Sequence, residues 1–284
     1  MRVDAHQHYW KYNPARDGWI TEEMSVLKRD YLPGDFRPEM ISNGLDAAIA
    51  VQADQSEEET RFLLELAEQH SFIAGVVGWI DLASDKIDER LEFFSGSNKL
   101  CGFRHVVQSE PDDRFLLRPE IVRGIRSVGE LDLTYDLLVF PRQLPAAIEL
   151  VSRLPEQRFV LDHIAKPPIE SGALAGWRED VFALAQNPNV FCKVSGMVTE
   201  ASWKGWRPEH FTPYLDIVFE AFSADRLMFG SDWPVCLLAA SYRQVFELVS
   251  EYVGQAPTGT QEKVFGANAI KCYGLGEATA WTCS

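Results

Sequence analysis

Eight short apolar runs recur along the chain, and stretches of helical pattern separate them. This alternation constrains the fold more than any other feature. The runs read MRVDAH (1–6), LDAAIAVQ (45–52), FIAGVVGWI (72–80), LCGFRHVV (100–107), LTYDLLVF (133–140), RFVLDH (158–163), NVFCKVSG (189–196) and RLMFGSD (226–232). Most are nearly continuous in apolar character and bounded by turn residues, as strands buried on both faces should be. Between them, Ser56 and Glu59 form a capping-box signature ahead of Phe62, Leu63 and Leu66 at helical spacing. Ile87, Leu91 and Phe94 make a second stripe. Ile121, Val122, Ile125 and Val128 make a third, which Gly129 is expected to end. Segments 210–222 and 241–253 continue the pattern.

Strands alternating with helices over 284 residues predict an α/β fold, a single-domain (β/α)8 TIM barrel spanning 1–275 with a loose tail at 276–284. An open doubly wound sheet is the competing architecture. That fold usually carries a Gly-rich phosphate turn after its first strand, and here the first strand ends in histidines instead. The aromatic, Pro-bearing segment Tyr9 to Pro38 reads as an ordered loop over one barrel end. There is no internal repeat, low-complexity tract or domain linker.

A net charge of −15 without a dense Lys/Arg run argues against nucleic-acid and anionic-membrane partners. No apolar stretch approaches the ~18 residues of a membrane span. The N-terminus has no apolar signal core. Five scattered cysteines, odd in number and with no Cys-x-x-Cys pair, fit reduced thiols, so a cytoplasmic enzyme is expected. Nothing in the sequence marks an oligomeric interface.

The chemistry-bearing residues sit where the runs end. Alternation in a strand sends His6 and His8 to the same side, at the C-terminal end of the first strand. That end is the catalytic face of such barrels. The sixth run ends in Asp162-His163 and the eighth in Ser231-Asp232. Individually, His163 could be a core histidine and Asp232 a helix cap. Jointly, three histidines and an aspartate from strands 1, 6 and 8 would converge at one mouth. That set suits a divalent metal, or a water and a polarised carbonyl.

In this order DAHQHYW, DHIAKP and FGSDWPV resemble the amidohydrolase superfamily, and within it the sugar-lactonase and dicarboxylate-lactonase branch. The similarity runs over nearly the whole chain. GFRHVVQSEPDDRFL (102–116) is similar to the L-fuconolactonases and related aldonolactonases. The resemblance implies a (β/α)8 barrel that hydrolyses a cyclic ester, with His6, His8, His163 and Asp232 as the reaction centre. Its substrate would be an aldonolactone, L-fuconolactone or a stereochemical neighbour. Much of the superfamily adds a bridging lysine or glutamate on strand 4, and a further histidine after strand 5. Here those strands offer Arg104 with His105, and Tyr135 with Asp136. The resemblance therefore implies at most one metal on His6, His8, His163 and Asp232: a single Zn2+, or none strictly required.

Asp232 is expected to act as general base, with the imidazoles polarising the carbonyl. Arg104 is a candidate for gripping substrate, an internal salt bridge being its plainer role. Of Tyr135 and Asp136, Tyr135 is expected to face inward. Lys166 could orient a hydroxyl, and Lys193 and Ser195 could line the cavity. Trp10, Trp19, Trp203 and Trp206 lie in expected loops, where an indole over a sugar ring or ordinary packing would both account for them. His70 and His105 read as structural and His210 as a surface residue. Cys236 has no base placed to activate it. Two further readings stay open: hydrolysis of 2-pyrone-4,6-dicarboxylate or another aromatic-derived acid, and a catalytically silent barrel that binds sugar or metal.

Overall fold

The computed structural model describes residues 1–276. The expected tail therefore lies outside the described residues beyond Gly276. Among the described residues each apolar run yields one parallel strand. The strands are β1 (Val3–Gln7), β2 (Ala47–Val51), β3 (Ile73–Gly78) and β4 (Leu100–His105). They continue as β5 (Thr134–Leu137), β6 (Phe159–Leu161), β7 (Val190–Val194) and β8 (Leu227–Phe229). Their order in the sheet is their order in sequence. The ends of β1 and β8 meet through a parallel bridge between Gln7 and Trp233. Backbone bonds from Asp232 N to His6 O (2.8 Å) and from His8 N to Trp233 O (2.7 Å) complete the closure.

Helices α1 (Pro33–Ser42), α2 (Glu57–Gln69), α3 (Ile87–Ser95) and α4 (Pro119–Glu130) follow the first four strands. Helices α5 (Leu144–Arg153), α6 (Trp177–Ala185), α7 (Thr212–Phe222) and α8 (Tyr242–Gly254) follow the rest. The Tyr9–Pro38 segment differs from its expected form. It stays irregular only to Leu32, pinned by reciprocal Trp10–Tyr31 backbone bonds (3.0 and 2.9 Å), and then enters α1 with Pro38 inside the helix. Pro33 opens that helix where a missing N–H costs nothing. Gly129 likewise does not end α4, which runs on to Glu130.

Two cores result. The outer one packs strand residues such as Phe103, Tyr135, Phe159 and Phe229 against the helices. The inner one fills the barrel with Val3, Ala5, Ile49, Val160, Phe191 and Met228. Its lower end is closed by a C-terminal helical segment that the alternation did not reveal. There Ala269, Cys272, Tyr273 and Leu275 join the inner core. The Tyr273 hydroxyl donates to Asp136 Oδ2 (2.8 Å).

A bulge in β1 between Asp4 and Gln7 breaks simple alternation. It leaves Asp4 pointing out to Tyr242 of α8 (3.0 Å) while His6 turns into the barrel. Asp4 Oδ1 also accepts the backbone N–H groups of His6 (3.1 Å) and Ser231 (2.9 Å). One carboxylate thus latches the β1–β8 seam from outside. Asp4→Ala would strand two buried backbone donors at about 1–3 kcal/mol each. We expect a loss of at least about 2 kcal/mol, read as a lower urea midpoint with unchanged slope.

Candidate active site

The upper barrel interior is built from charge. Lys193, fully buried on β7, donates to Asp136 Oδ2 (2.6 Å) and lies 3.0 Å from Asp162 Oδ1. Arg104, on β4, donates from Nη1 to Asp162 Oδ2 (2.9 Å) and from Nη2 to the carbonyl of Gln52. Burial disfavours each charge. For Lys193, Asp136 and Asp162 outweigh burial and raise its pKa. For Asp162, Lys193, His6 and Arg104 outweigh burial and hold its carboxyl well below the usual range. Asp136 ends higher, at about 6, because burial dominates there.

His6 rests on this layer. Its Nδ1 lies 3.3 Å from Asp162 Oδ1 and 3.2 Å from Lys193 Nζ, and its Nε2 lies 3.2 Å from Arg104 Nη1. Arginine and lysine can only donate, so Nε2 of His6 faces the Arg104 donor, while Nδ1 faces both the Lys193 donor and the Asp162 carboxylate. His8, just past β1, has Nδ1 at 2.7 Å from the carbonyl of Val51, which can only accept. Its Nε2 therefore faces inward, 3.2 Å from His6 Nε2 and 3.3 Å from Asp232 Oδ1. His6 Nε2 and His163 Nε2 each lie 3.8 Å from that same oxygen. The four residues thus surround one point.

His163 reaches the site by an unusual path. Residues His163, Ile164, Ala165 and Lys166 all have positive φ (53°, 48°, 60° and 48°), a single left-handed turn closed by Lys166 N to His163 O (2.8 Å). Each such L-residue costs about 1–2 kcal/mol. His163 Nδ1 lies 2.8 Å from Ser195 Oγ. The ring lies against Gly196, where a Cβ would fall 2.5 Å from Nδ1. Only glycine leaves room for it.

Burial pushes His163 down to about 4 and His6 well below its ordinary value, so both imidazoles are neutral at pH 7. For Asp232 burial works upward, yet His163, His8 and His6 outweigh it and hold the carboxyl low.

His6 Nε2, which faces Arg104 Nη1, converges with His8 Nε2 and Asp232 Oδ1, the three atoms lying within 3.8 Å of one another. Tetrahedral zinc with ~2.0–2.1 Å bonds spaces its ligands about 3.3 Å apart. The observed 3.2 and 3.3 Å match, the His6–Asp232 separation of 3.8 Å is longer, and the other nitrogen of each ring is held from behind, as in metal-ligating histidines. The donor set fits one such ion.

The convergence opens on a cavity of about 380 Å3 whose wall includes His8, His163, Asp232, Arg104 and Lys166. Lys166 Nζ lies 3.3 Å from Glu200 Oε1. Several anticipated residues do not reach the cavity. Tyr135 faces the outer core beside Phe159, because Asp136 takes the inward position. Trp10 is buried beneath the rim, its indole N–H donating to Arg29 O (3.0 Å). Trp203 donates to Thr199 O (3.0 Å) and forms no part of the wall. Lys193 and Ser195 sit behind His6 and His163 rather than at the surface. Trp19, at 45% exposure, is the indole over the cavity, and it meets Trp10 edge-on.

Asp54, Gln55, Gln108 and Ser109 supply polar lining that sequence reasoning missed. The signal lay at Glu59. Ser56 Oγ caps α2 by accepting from Glu59 N (3.2 Å), but the Glu59 carboxylate reaches on to the N–H groups of Ala53 (3.1 Å) and Asp54. The capping residue fixes the loop that lines the cavity.

A closed parallel barrel with a metal-accepting His/Asp cluster at the C-terminal end of its strands defines a class of hydrolytic barrels. The Amidohydrolase family model matches residues 3–275, and the chain belongs to that family. L-fucono-1,5-lactonase of Burkholderia multivorans is 44% identical over 288 aligned residues, 98% of this chain and 97% of the relative. L-fucono-1,5-lactonase of Burkholderia ambifaria is 36% identical, covering 96% and 95%. A crystal structure of an amidohydrolase from Burkholderia multivorans with bound zinc superposes with a TM-score of 0.94 at 44% identity, covering 97% of this chain and all of that one. A probable 2-pyrone-4,6-dicarboxylic acid hydrolase from Acinetobacter baumannii shares the fold, with a TM-score of 0.77 at 16% identity, covering 96% of this chain and 99% of that one. No helix among the described residues is long and apolar enough to cross a membrane.

The depressed His163 pKa has a signed consequence. Between about pH 6.5 and 4 the unfolded chain takes a proton that the folded site refuses. This contribution to stability is complete above pH 6.5 and is lost as pH falls toward 4. In His163→Asn the dependence of unfolding free energy on pH should be shallower there by up to about 1.4 kcal/mol per pH unit. Chemical denaturation at a series of pH values checks it.

Proposed function

We propose that this protein is a lactonase that opens a sugar lactone to its aldonic acid, with L-fucono-1,5-lactone the first candidate substrate. One observation carries the reading: His6, His8, His163 and Asp232 meet within a few ångströms of each other, and the last three line a cavity sized for a small ring. The two L-fucono-1,5-lactonases, 44% and 36% identical along nearly the full chain, support it.

Hydrolysis adds a hydroxyl to the acyl carbon and a proton to the departing ring oxygen. Asp232 takes the proton from the attacking water and returns it to that oxygen. A carboxylate held so low is a weak base in the resting site, so its contribution is mainly one of position. As negative charge develops on the neighbouring oxygens, its affinity for the proton rises. His163 is neutral, and in the tautomer in which the Ser195 hydroxyl donates to Nδ1, Nε2 carries the proton. That N–H donates to the oxyanion. His6 is locked by Asp162, Lys193 and Arg104, and cannot swing away during the reaction. Where Zn2+ is bound, His6, His8 and Asp232 would hold it, and it would supply Lewis-acid polarisation of the carbonyl.

Lys166, Gln55, Gln108 and Ser109 offer hydrogen bonds to ring hydroxyls, and Trp19 an apolar platform for the ring. Arg104 is already engaged at Nη1 and Nη2 and stands on the cavity wall as a fixed positive charge. Among the described residues it is the one arginine on the cavity wall. A doubly charged pyrone dicarboxylate is therefore poorly matched.

A pH-indicator screen of sugar lactones and pyrone dicarboxylates, with and without chelator, tests the reading. We expect acid release from L-fucono-1,5-lactone. In Asp232→Asn kcat should fall at least about 100-fold while the circular-dichroism spectrum and Tm stay close to those of the parent. Lactone binding with no acid release from any substrate would mark a silent barrel instead. Near-normal turnover in the variant would remove Asp232 as the base.

A further inference from the structure

The left-handed turn 163–166 delivers two cavity residues, His163 and Lys166, at its two ends. Its middle residues, Ile164 and Ala165, are fully buried. None of the four is glycine, so the turn has no local preference for the conformation it holds. A right-handed turn of the same residues sets its Cα–Cβ bonds in the opposite sense and could not present this pair to the same place. Something outside the turn must therefore hold it.

The strongest hold on its middle is Trp177, the first residue of α6. Its indole N–H donates to the carbonyl of Ile164 (2.8 Å) in a buried setting. The Trp177 ring packs on Tyr214 of α7 (centroids 5.3 Å apart). The Tyr214 hydroxyl lies 3.3 Å from Pro168 O and 3.2 Å from Ala173 O, the stretch into which the turn runs. Neither aromatic residue lines the cavity.

We propose that Trp177 is a positioning residue of the active site: its indole N–H holds the left-handed turn closed and so aims His163 and Lys166 at the substrate, with Tyr214 as its outer brace. The inference rests on the lactonase reading for its kinetic arm and on geometry alone for its spectroscopic arm. Trp177→Phe keeps most of the ring and removes the donor. Its kcat on L-fucono-1,5-lactone should fall about 10- to 100-fold, the scale of a catalytic group misplaced by about 1 Å. The His163 ring resonances should shift and broaden in a 15N-histidine NMR spectrum of the protein without substrate, while those of His210 on the surface stay put.

Rescue separates this role from a merely structural one. Glycine adopts positive φ without cost, so Ala165→Gly lessens the dependence of the turn on its clamp. In the Trp177→Phe background, Ala165→Gly should restore several-fold of kcat and return the His163 resonances toward their parental positions, without raising Tm to match. Loss of kcat in step with Tm and no rescue would overturn the proposal, as would an unchanged kcat and unchanged His163 resonances in Trp177→Phe. If Trp177→Phe does not fold, Tyr214→Phe removes the outer brace, and rescue by Ala165→Gly is read there with the same two outcomes. Should the parent enzyme open no lactone, the lactonase reading falls, and the His163 resonances alone decide the role of Trp177.

Discussion

Everything at the reactive end of the barrel depends on one buried ion cluster. Lys193 has no exposure, and it is tolerable there only because Asp136 and Asp162 stand 2.6 and 3.0 Å away. Arg104 approaches Asp162 from the other side at 2.9 Å. Replacing such a cluster with apolar side chains often costs nothing in stability, but removing one member leaves an uncompensated charge. Its value here is rigidity. His6 touches three members of the cluster, so the imidazole at the centre of the site is fixed in orientation before any ligand arrives.

The rim above it is assembled under strain. His163 sits on a left-handed turn of four L-residues, and Asp232 also has positive φ (57°). Such conformations persist only where the surroundings over-determine them, and they gather at functional sites. The surroundings here are identifiable: Gly196 leaves space for the His163 ring, Ser195 and the indole of Trp177 hold the turn, and Asp4 ties Ser231 to the start of β1. The rigid scaffold offsets locally unfavourable backbone so that polar groups lie ready around a small cavity. Preorganisation of this kind is what stabilises charge developing in a transition state.

Where the chain was legible, the reason was periodicity. Parallel strands buried on both faces must be short and apolar, and helices that cover them must show a stripe, so the barrel could be read from alternation. The four residues that converge were visible because each lies at or just past the end of such a run. Pairwise orientation was harder. Tyr135 and Asp136 are adjacent, and an aromatic ring is the more natural choice for an interior. Lys193 on β7 and the Tyr273 hydroxyl, both remote in sequence, make the aspartate the inward residue. Trp10 and Trp203 failed as cavity residues for a similar reason. An indole N–H seeks an acceptor, and each found a nearby carbonyl in its own loop. The C-terminal plug carried no strand-helix signature and became meaningful only under the barrel.

The amino-acid sequence by itself determined the alternation, the strand order and the chemical inventory at the strand ends, because these follow from local pattern and from the few ways parallel strands can be connected. Tertiary structure alone decided which ionisable groups share a charge, which nitrogen of each histidine faces the convergence, and which polar residues reach the cavity. Those properties depend on separations of a few ångströms between residues as far apart in sequence as His6 and Lys193. Electrostatic energy varies steeply over that distance in a buried site, and no periodicity encodes it.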